Sequence, residues 1–196
     1  MFVIVALGNP GEKYEHTRHN AGWYVAESFL ADNGFPVPVE SSKYAGRISE
    51  GMLSGQEVSV LFPSTYMNKS GSSVKKLVTD PAMAKQCIVV YDDVDLPIGT
   101  VRISVGRGSG GHNGVQSIID ALGTKEFIRI RLGIASKSFW TRKARRPAAG
   151  EPMTRHVLGS FRKQELKELA VAAKKTGAIL TTIISEGVET AMNQYN

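Results

Sequence analysis

Only one cysteine, Cys87, occurs among 196 residues, so no disulfide can form within the chain. It sits in the apolar run Cys87-Ile88-Val89-Val90-Tyr91, where a thiol is expected to pack as a small hydrophobe rather than react. Long apolar runs are missing too. None approaches a membrane span, and the N-terminus passes straight into a strand pattern with neither a charged leader nor a cleavage site. The expectation is a soluble cytoplasmic protein with no membrane partner. The esterase signature G-x-S-x-G is absent, which disfavours covalent catalysis through serine. The histidine and carboxylate spacings match no metal-site signature, so no metal or other cofactor is expected. Prolines are few, 8 against 20 glycines, and hydrophobic residues make up 42%. Such a chain can bury a proper core, and its length fits one domain.

What is present alternates between strand and helix signals. Val3 to Leu7 reads as a buried strand that breaks at Gly8-Asn9-Pro10-Gly11. Apolar spacing at Trp23, Val25, Ala26, Phe29 and Leu30 predicts a helix entered near Asn20 or Ala21 and closed at Asp32-Asn33-Gly34. Two strands follow, one within Tyr44 to Ser54 and one from Glu57 to Phe62, ended by Pro63. Val74, Leu77 and Val78 then mark a helix face that Pro81 stops. Cys87 to Tyr91 is a short apolar run of the sort buried in a mostly parallel sheet, and it ends at Asp92-Asp93-Val94-Asp95. Thr100 to Val105 predicts a strand, residues 106–114 a glycine loop, and Val115, Ile118, Ile119 and Leu122 a helix. Phe127 to Ile134 alternates, which places Ile128, Ile130, Leu132 and Ile134 on a core face and Arg129 and Arg131 on a basic one. Residues 136–155 show no period and are expected to form a mobile basic loop. A long helix from about Arg162 into Ile184 and a short one complete the chain.

The net charge of +6 is concentrated. Residues 99–155 hold 11 Lys or Arg against 3 acids, whereas the rest of the chain holds 13 against 15. A local excess of this size suggests a polyanionic partner, most simply nucleic acid, because neutralised phosphates release counterions. An ordinary solvated basic face would look the same in composition.

Asn9, Asn68 and Asp92 each follow a strand, and ligands of open α/β sheets gather beyond the carboxyl ends of strands. His19 borders that address at a helix entrance. The partial positive charge of a helix N-terminus disfavours imidazolium, so a histidine there is expected to stay neutral and able to accept a proton. Asp92, Asp93 and Asp95 together offer a Mg²⁺ alternative, with phosphoryl or nuclease chemistry. Gly106, Gly108 and Gly111 satisfy G-x-G-x-x-G, but the acid a dinucleotide needs about twenty residues on is missing. The loop is better read as a close backbone approach to a ligand, or as N–H groups offered to an anion. The remaining chemistry is a histidine acting on water, a carboxylate to orient it, and side-chain amides to bind carbonyls.

Leu7-Gly8-Asn9-Pro10-Gly11, Tyr14, Thr17-Arg18-His19-Asn20, Gly22, Thr65-Tyr66-Met67-Asn68-Lys69-Ser70-Gly71, Asp92 to Pro97 and Gly110 to Gly114 closely resemble the bacterial peptidyl-tRNA hydrolase family. The resemblance covers most of residues 1–135 and extends more loosely through the final helices. It implies a single α/β domain over residues 1–196, with a mixed, mostly parallel twisted sheet flanked by helices. It also implies metal-free hydrolysis of the ester joining a peptide to the 3′ ribose of tRNA, by a monomer that binds the acceptor stem and 3′ end. By position, His19 resembles the general base, Asp92 the carboxylate behind it, and Asn9 the residue that discriminates blocked from free aminoacyl-tRNA. Tyr14, Tyr66, Asn68 and Asn113 match substrate-binding positions, and Met67 and His112 match residues lining the cleft. Asp93 and Asp95 read as solvated or turn-forming acids. Arg129, Arg131, Arg142, Lys143, Arg145 and Arg146 are candidate auxiliary phosphate contacts, although the segment 136–155 departs from the family pattern. The rival readings are an RNA-binding module without catalysis, for which a His19 and Asp92 pair is superfluous, and a metal-dependent phosphoesterase.

Overall fold

A computed structural model describes residues 1–137 and 144–196, with Lys137 and Arg145 described through their backbone alone. The strands are β1 (Phe2–Ala6), β2 (Val39–Ser41), β3 (Gly46–Leu53), β4 (Gln56–Pro63), β5 (Cys87–Pro97), β6 (Val101–Val105), β7 (Ile128–Lys137) and β8 (Ala144–Arg145). The helices are α1 (Ala21–Asp32), α2 (Ser70–Val74), α3 (Pro81–Lys85), α4 (Asn113–Leu122), α5 (Glu151–Val157), α6 (Lys163–Glu186) and α7 (Val188–Tyr195). They build one mixed sheet in the order β2-β3-β4-β1-β5-β7-β6, with β8 paired to β7. The four central strands, β4, β1, β5 and β7, are parallel, and antiparallel strands close both edges. The expected architecture of an α/β domain flanked by helices is what forms.

β1 and the Cys87 to Tyr91 part of β5 are buried on both sides, which explains their unbroken apolar sequences. Ile4, Ala6, Ile88 and Val90 turn to one face, where they join Val25 and Phe29 of α1 and Leu180 and Ile183 of α6. Val3, Val5, Leu7, Val89 and Tyr91 turn to the other, against Val74 of α2 and Val115 and Ile118 of α4. The period of two along each strand thus divides the core into two layers. Among the described residues, no helix is long and apolar enough to cross a membrane.

Two glycines allow the approaches that bring the site together. A Cβ on Gly22 would lie 2.6 Å from the carbonyl oxygens of both Leu7 and Val90, so α1 can begin against the ends of β1 and β5 only with glycine there. A Cβ on Gly114 would lie 2.5 Å from Met67 Sδ, so the start of α4 meets the turn after β4.

Several boundaries differ from those read in the sequence. β5 runs on through the acidic stretch to Pro97, with an irregularity in its pairing with β7 after Asp93. The expected loop over 136–155 is not one loop: β7 reaches Lys137, β8 occupies 144–145, and α5 starts at Glu151 with Pro152 in its first turn. Proline is tolerated there because the first helical N–H groups have no intrahelical partner. Pro81 likewise starts α3 rather than only ending what precedes it, capped by Asp80, whose side chain accepts from the Met83 N–H. The three-residue edge strand β2 is a further addition.

Candidate active site

His19 lies in a 3₁₀ turn, Arg18–Asn20, that leads into α1. Its Nδ1 is 2.8 Å from Asp92 Oδ1, and both side chains are nearly sealed from solvent. Asp92 comes two residues after Val90, which pairs with Ala6, so it stands at the level where β1 gives way to the Gly8-Asn9 turn. The same Oδ1 is 3.0 Å from His112 Nε2. His112 Nδ1 accepts from the N–H groups of Gly114 and Val115 at 3.2 and 3.3 Å and so caps α4. A nitrogen that accepts carries no proton, so the ring proton of His112 sits on Nε2 and points at the carboxylate. One buried oxygen therefore takes two imidazole N–H donors, and the two rings stand 5.0 Å apart.

Burial by itself would raise the carboxyl pKa of Asp92. The adjacent His19 and His112, through charge and hydrogen bonding, hold it well below the usual carboxylate range. For His19, burial works downward, and the charge and hydrogen bond of Asp92 more than offset it, so the imidazole pKa ends above its ordinary value. The carboxylate thus acts on His19 in the direction opposite to the field of the short turn and helix start. With Nδ1–H committed to Asp92, the His19 Nε2 lone pair is left available, and no protein group among the described residues bonds it.

Asn9 is fixed from three directions. Its Oδ1 accepts from the Met67 N–H at 2.8 Å, its own N–H donates to Asn20 Oδ1 at 2.9 Å, and its carbonyl accepts from Asn20 Nδ2 at 3.0 Å. Its Nδ2 has no hydrogen-bond partner among the described residues. Asn20, which the sequence marks only as a helix start, is the residue that fixes the Asn9 backbone, and its place directly after His19 was the available clue. Asn68 and Tyr66 are exposed neighbours of buried Met67, and Asn113 is an exposed neighbour of His112. Tyr14 is half-buried, with the Lys13 ammonium 4.8 Å over its ring.

A cavity of about 570 Å³ is lined by His19, Asp92, His112 and Asn113 together with the glycine loop 107–111, Asp93, Asp95, Arg131 and Arg146, and it is walled by α5 through Met153 and Val157. Asn9, Tyr14, Tyr66, Met67 and Asn68 are outside its lining. The sequence-predicted residues therefore fall into a hydrogen-bonded cluster of His19, Asp92 and His112 that lines the cavity, with Asn9 and Met67 joined to each other outside its lining.

Three of the basic candidates change meaning. Arg129 is fully buried and presents no charge to a phosphate: its guanidinium donates to the carbonyls of Gly108, at 2.6 Å, and of Arg107, and stacks over Phe127. Strand alternation gave its face correctly, but the glycine loop covers that face. Arg131 Nε donates to Asp93 Oδ2 at 2.7 Å, and Arg146 pairs with Asp95 at an exposed position. Asp93 and Asp95 are thus ion-pair partners, and Asp93 also accepts from the Asp95 N–H at 2.8 Å, as a turn-forming acid does, while Asp95 stays exposed. Arg142 and Lys143 lie outside the described residues, and of Arg145 only the backbone, in β8, is described. Burial pushes the Cys87 thiol up to about 12, as suits a core residue.

The ligand atoms of His19, Asp92 and His112 lie within 4.8 Å of one another, a spacing a metal ion could accept. Each of the facing atoms already takes part in a hydrogen bond to Asp92, so a cation there would have to displace those bonds.

The profile of the peptidyl-tRNA hydrolase family matches residues 3–196. A peptidyl-tRNA hydrolase from Syntrophotalea carbinolica is 38% identical over 197 residues, covering 100% of this chain and 97% of that protein. Another from Desulfitobacterium hafniense is 40% identical, with 100% of both chains covered. The crystal structure of peptidyl-tRNA hydrolase from Acinetobacter baumannii superposes with a TM-score of 0.88 at 32% identity, covering 100% of this chain and 94% of that one.

Proposed function

We propose a mechanism from one premise: the chain belongs to the peptidyl-tRNA hydrolase family. It is a hydrolase of that class, and peptidyl-tRNA is its substrate. The bond cleaved is the ester between the peptide carbonyl carbon and the 3′ oxygen of the terminal ribose, so tRNA is returned to translation.

In our reading His19 is the general base. Its Nε2 takes a proton from water while the oxygen attacks the ester carbonyl. The resulting imidazolium is held by the ionised carboxylate of Asp92 through Nδ1–H. The tetrahedral intermediate then expels the ribose 3′ oxygen, which takes the proton back from Nε2. The products are a peptide carboxylic acid, which gives up its proton to solvent, and a tRNA with a free 3′ hydroxyl. His112 donates a second N–H to the same Asp92 oxygen and so helps hold the carboxylate in place. Asn9, with its oxygen and backbone committed, keeps Nδ2 to donate to a substrate carbonyl, and Asn68 and Asn113 serve the peptide backbone from either side. Amides suit that task because they pair with any peptide group whatever its side chain. Tyr14 and Tyr66 offer aromatic surface to the substrate, and the acceptor stem and 3′ end are the parts of the tRNA engaged. We place the enzyme in the cytoplasm as a monomer.

The observation that carries this reading is the 2.8 Å contact between buried His19 Nδ1 and Asp92 Oδ1, with Nε2 left over on a residue that lines the cavity. The experiment is release of labelled peptide from an N-blocked aminoacyl-tRNA, with an unblocked control. His19→Ala nearly abolishes release while the Kd for tRNA stays within about threefold of the parent, the loss being of chemistry and not of binding. Turnover comparable with the parent would overturn the assignment.

A further inference from the structure

Arg18, beside the catalytic histidine, takes no part in the mechanism above. It is nevertheless almost entirely buried, 8% exposed, and its bonds run away from the site. Its backbone N–H donates to the Gly159 carbonyl at 3.0 Å, and the Phe161 N–H donates to the His16 carbonyl at 3.3 Å. These flank an antiparallel bridge between Thr17 and Ser160. Its guanidinium reaches the same junction: Nη2 donates to Glu165 Oε2 at 2.7 Å, Nη1 to the His156 carbonyl at 3.5 Å, and the plane stands 5.6 Å over the Phe161 ring. Glu165 Oε2 also accepts from the Arg162 N–H at 2.7 Å, so one carboxylate oxygen caps α6 and holds Arg18.

Stability alone is a poor reason for this arrangement. Desolvating two charges offsets much of their attraction, and apolar groups of similar shape often serve a fold equally well. The pair does fix geometry. The turn that carries His19 is tied at its far end, where Asn20 locks onto Asn9 and the end of β1. At its near end Arg18 ties it to the junction of α5 and α6. His19 hangs between these two anchors, and a shift of either end moves its Nδ1 off Asp92.

We infer that Arg18 and Glu165 are a positioning pair that holds the 18–20 turn so that His19 stays aligned with Asp92. This rests on the reading of His19 as the base. The helix α5 wall of the cavity meets the same junction, so one brace sets both the base and the wall beside it.

The test compares Arg18→Met, Glu165→Gln and the double variant, scored per folded molecule. Misalignment on the ångström scale lowers kcat about 10- to 100-fold and changes KM little. The double variant falls no further than the worse single one, because both remove the same contact. Arg18→Lys, which keeps charge and a donor, recovers part of the rate. A purely structural role leaves the pH profile in place. Misalignment moves its acid limb downward, because the groups facing His19, namely Asp92 from β5 and His112 from the loop before α4, no longer hold it as in the parent. By NMR, the Nδ1–H proton of His19 is expected as a resolved downfield resonance in the parent, broadened or lost in the variants. An unmoved resonance with an unmoved acid limb, or fully additive losses, would overturn the inference. Glu165→Gln keeps an oxygen for the helix cap and serves if Arg18→Met does not fold. Turnover by His19→Ala would instead overturn the base assignment, and the NMR readout of the brace would remain decisive.

Discussion

Asparagine in place of Asp92 removes a charge and keeps the shape. Oδ1 of Asp92 accepts from His19 Nδ1 at 2.8 Å and from His112 Nε2 at 3.0 Å. An amide oxygen at that point can still accept from both, so the His19 tautomer survives. What disappears is the negative charge that, in the proposed mechanism, stabilises the imidazolium once His19 has taken a proton from water. A hydrogen bond to a charged group contributes about 1.5–3 kcal/mol net. Unit charges ~4 Å apart at an effective dielectric constant of ~20 attract by about 4 kcal/mol, which sets the upper side. At about 1.4 kcal/mol per decade, kcat is expected to fall between ~10- and ~1,000-fold, centred near 100-fold. The assay is single-turnover release of labelled peptide from N-blocked aminoacyl-tRNA at a series of pH values. In the parent, Asp92 keeps the His19 pKa above its ordinary value against burial, so activity rises with pH as that raised value is passed. Without the charge, burial acts alone and the acid limb moves to lower pH. A rate within threefold of the parent together with an unmoved limb would refute the role given to the carboxylate.

Two further outcomes follow from the same structure. Stability should carry the pair's signature. The raised His19 pKa contributes stability that is full below its unfolded value of about 6.5 and is lost as pH rises through the folded one, while the lowered Asp92 pKa contributes stability present above about 3.8 and lost as pH falls. The denaturant-measured stability gap between the parent and Asp92→Asn is therefore widest between about pH 4 and 6.5, and an equal gap at high pH would contradict this. Neutralising Arg142, Lys143, Arg145 and Arg146 together is expected to flatten the dependence of log affinity for tRNA on log salt, by about 0.9 for each duplex phosphate released. An unchanged slope would exclude these residues as phosphate contacts.

The parts of this protein readable in its sequence are those governed by short-range rules. The unbroken apolar runs of β1 and β5, the alternation of β7 and the helical spacing of α1 each have a single structural solution. The turns after β1 and β4 therefore fell at the same end of the parallel strands as Asp92 of β5, and Asn9 and His19 came with them. The misses have a common cause, which is that sequence spacing does not say what lies on top of a face. Arg129 alternated with core residues as an exposed cation would, yet the loop 106–111 folds over it. The ion pairs of Asp93 and Asp95 were not legible because their partners are 38 and 51 residues away. α5 was hidden because Pro147, Gly150 and Pro152 look like breakers, although proline fits a first turn. Arg18 gave no sign of its role, since its partner Glu165 is 147 residues distant.

Arg129 also bears on how substrate is received. A guanidinium with carbonyls of Arg107 and Gly108 on it holds the glycine-rich wall in shape before any ligand arrives. A ligand entering this cavity would meet a mould already set, with the entropy cost of ordering that loop met during folding instead of being subtracted from affinity at each encounter. Selectivity at this wall is consequently a matter of fit to a fixed contour.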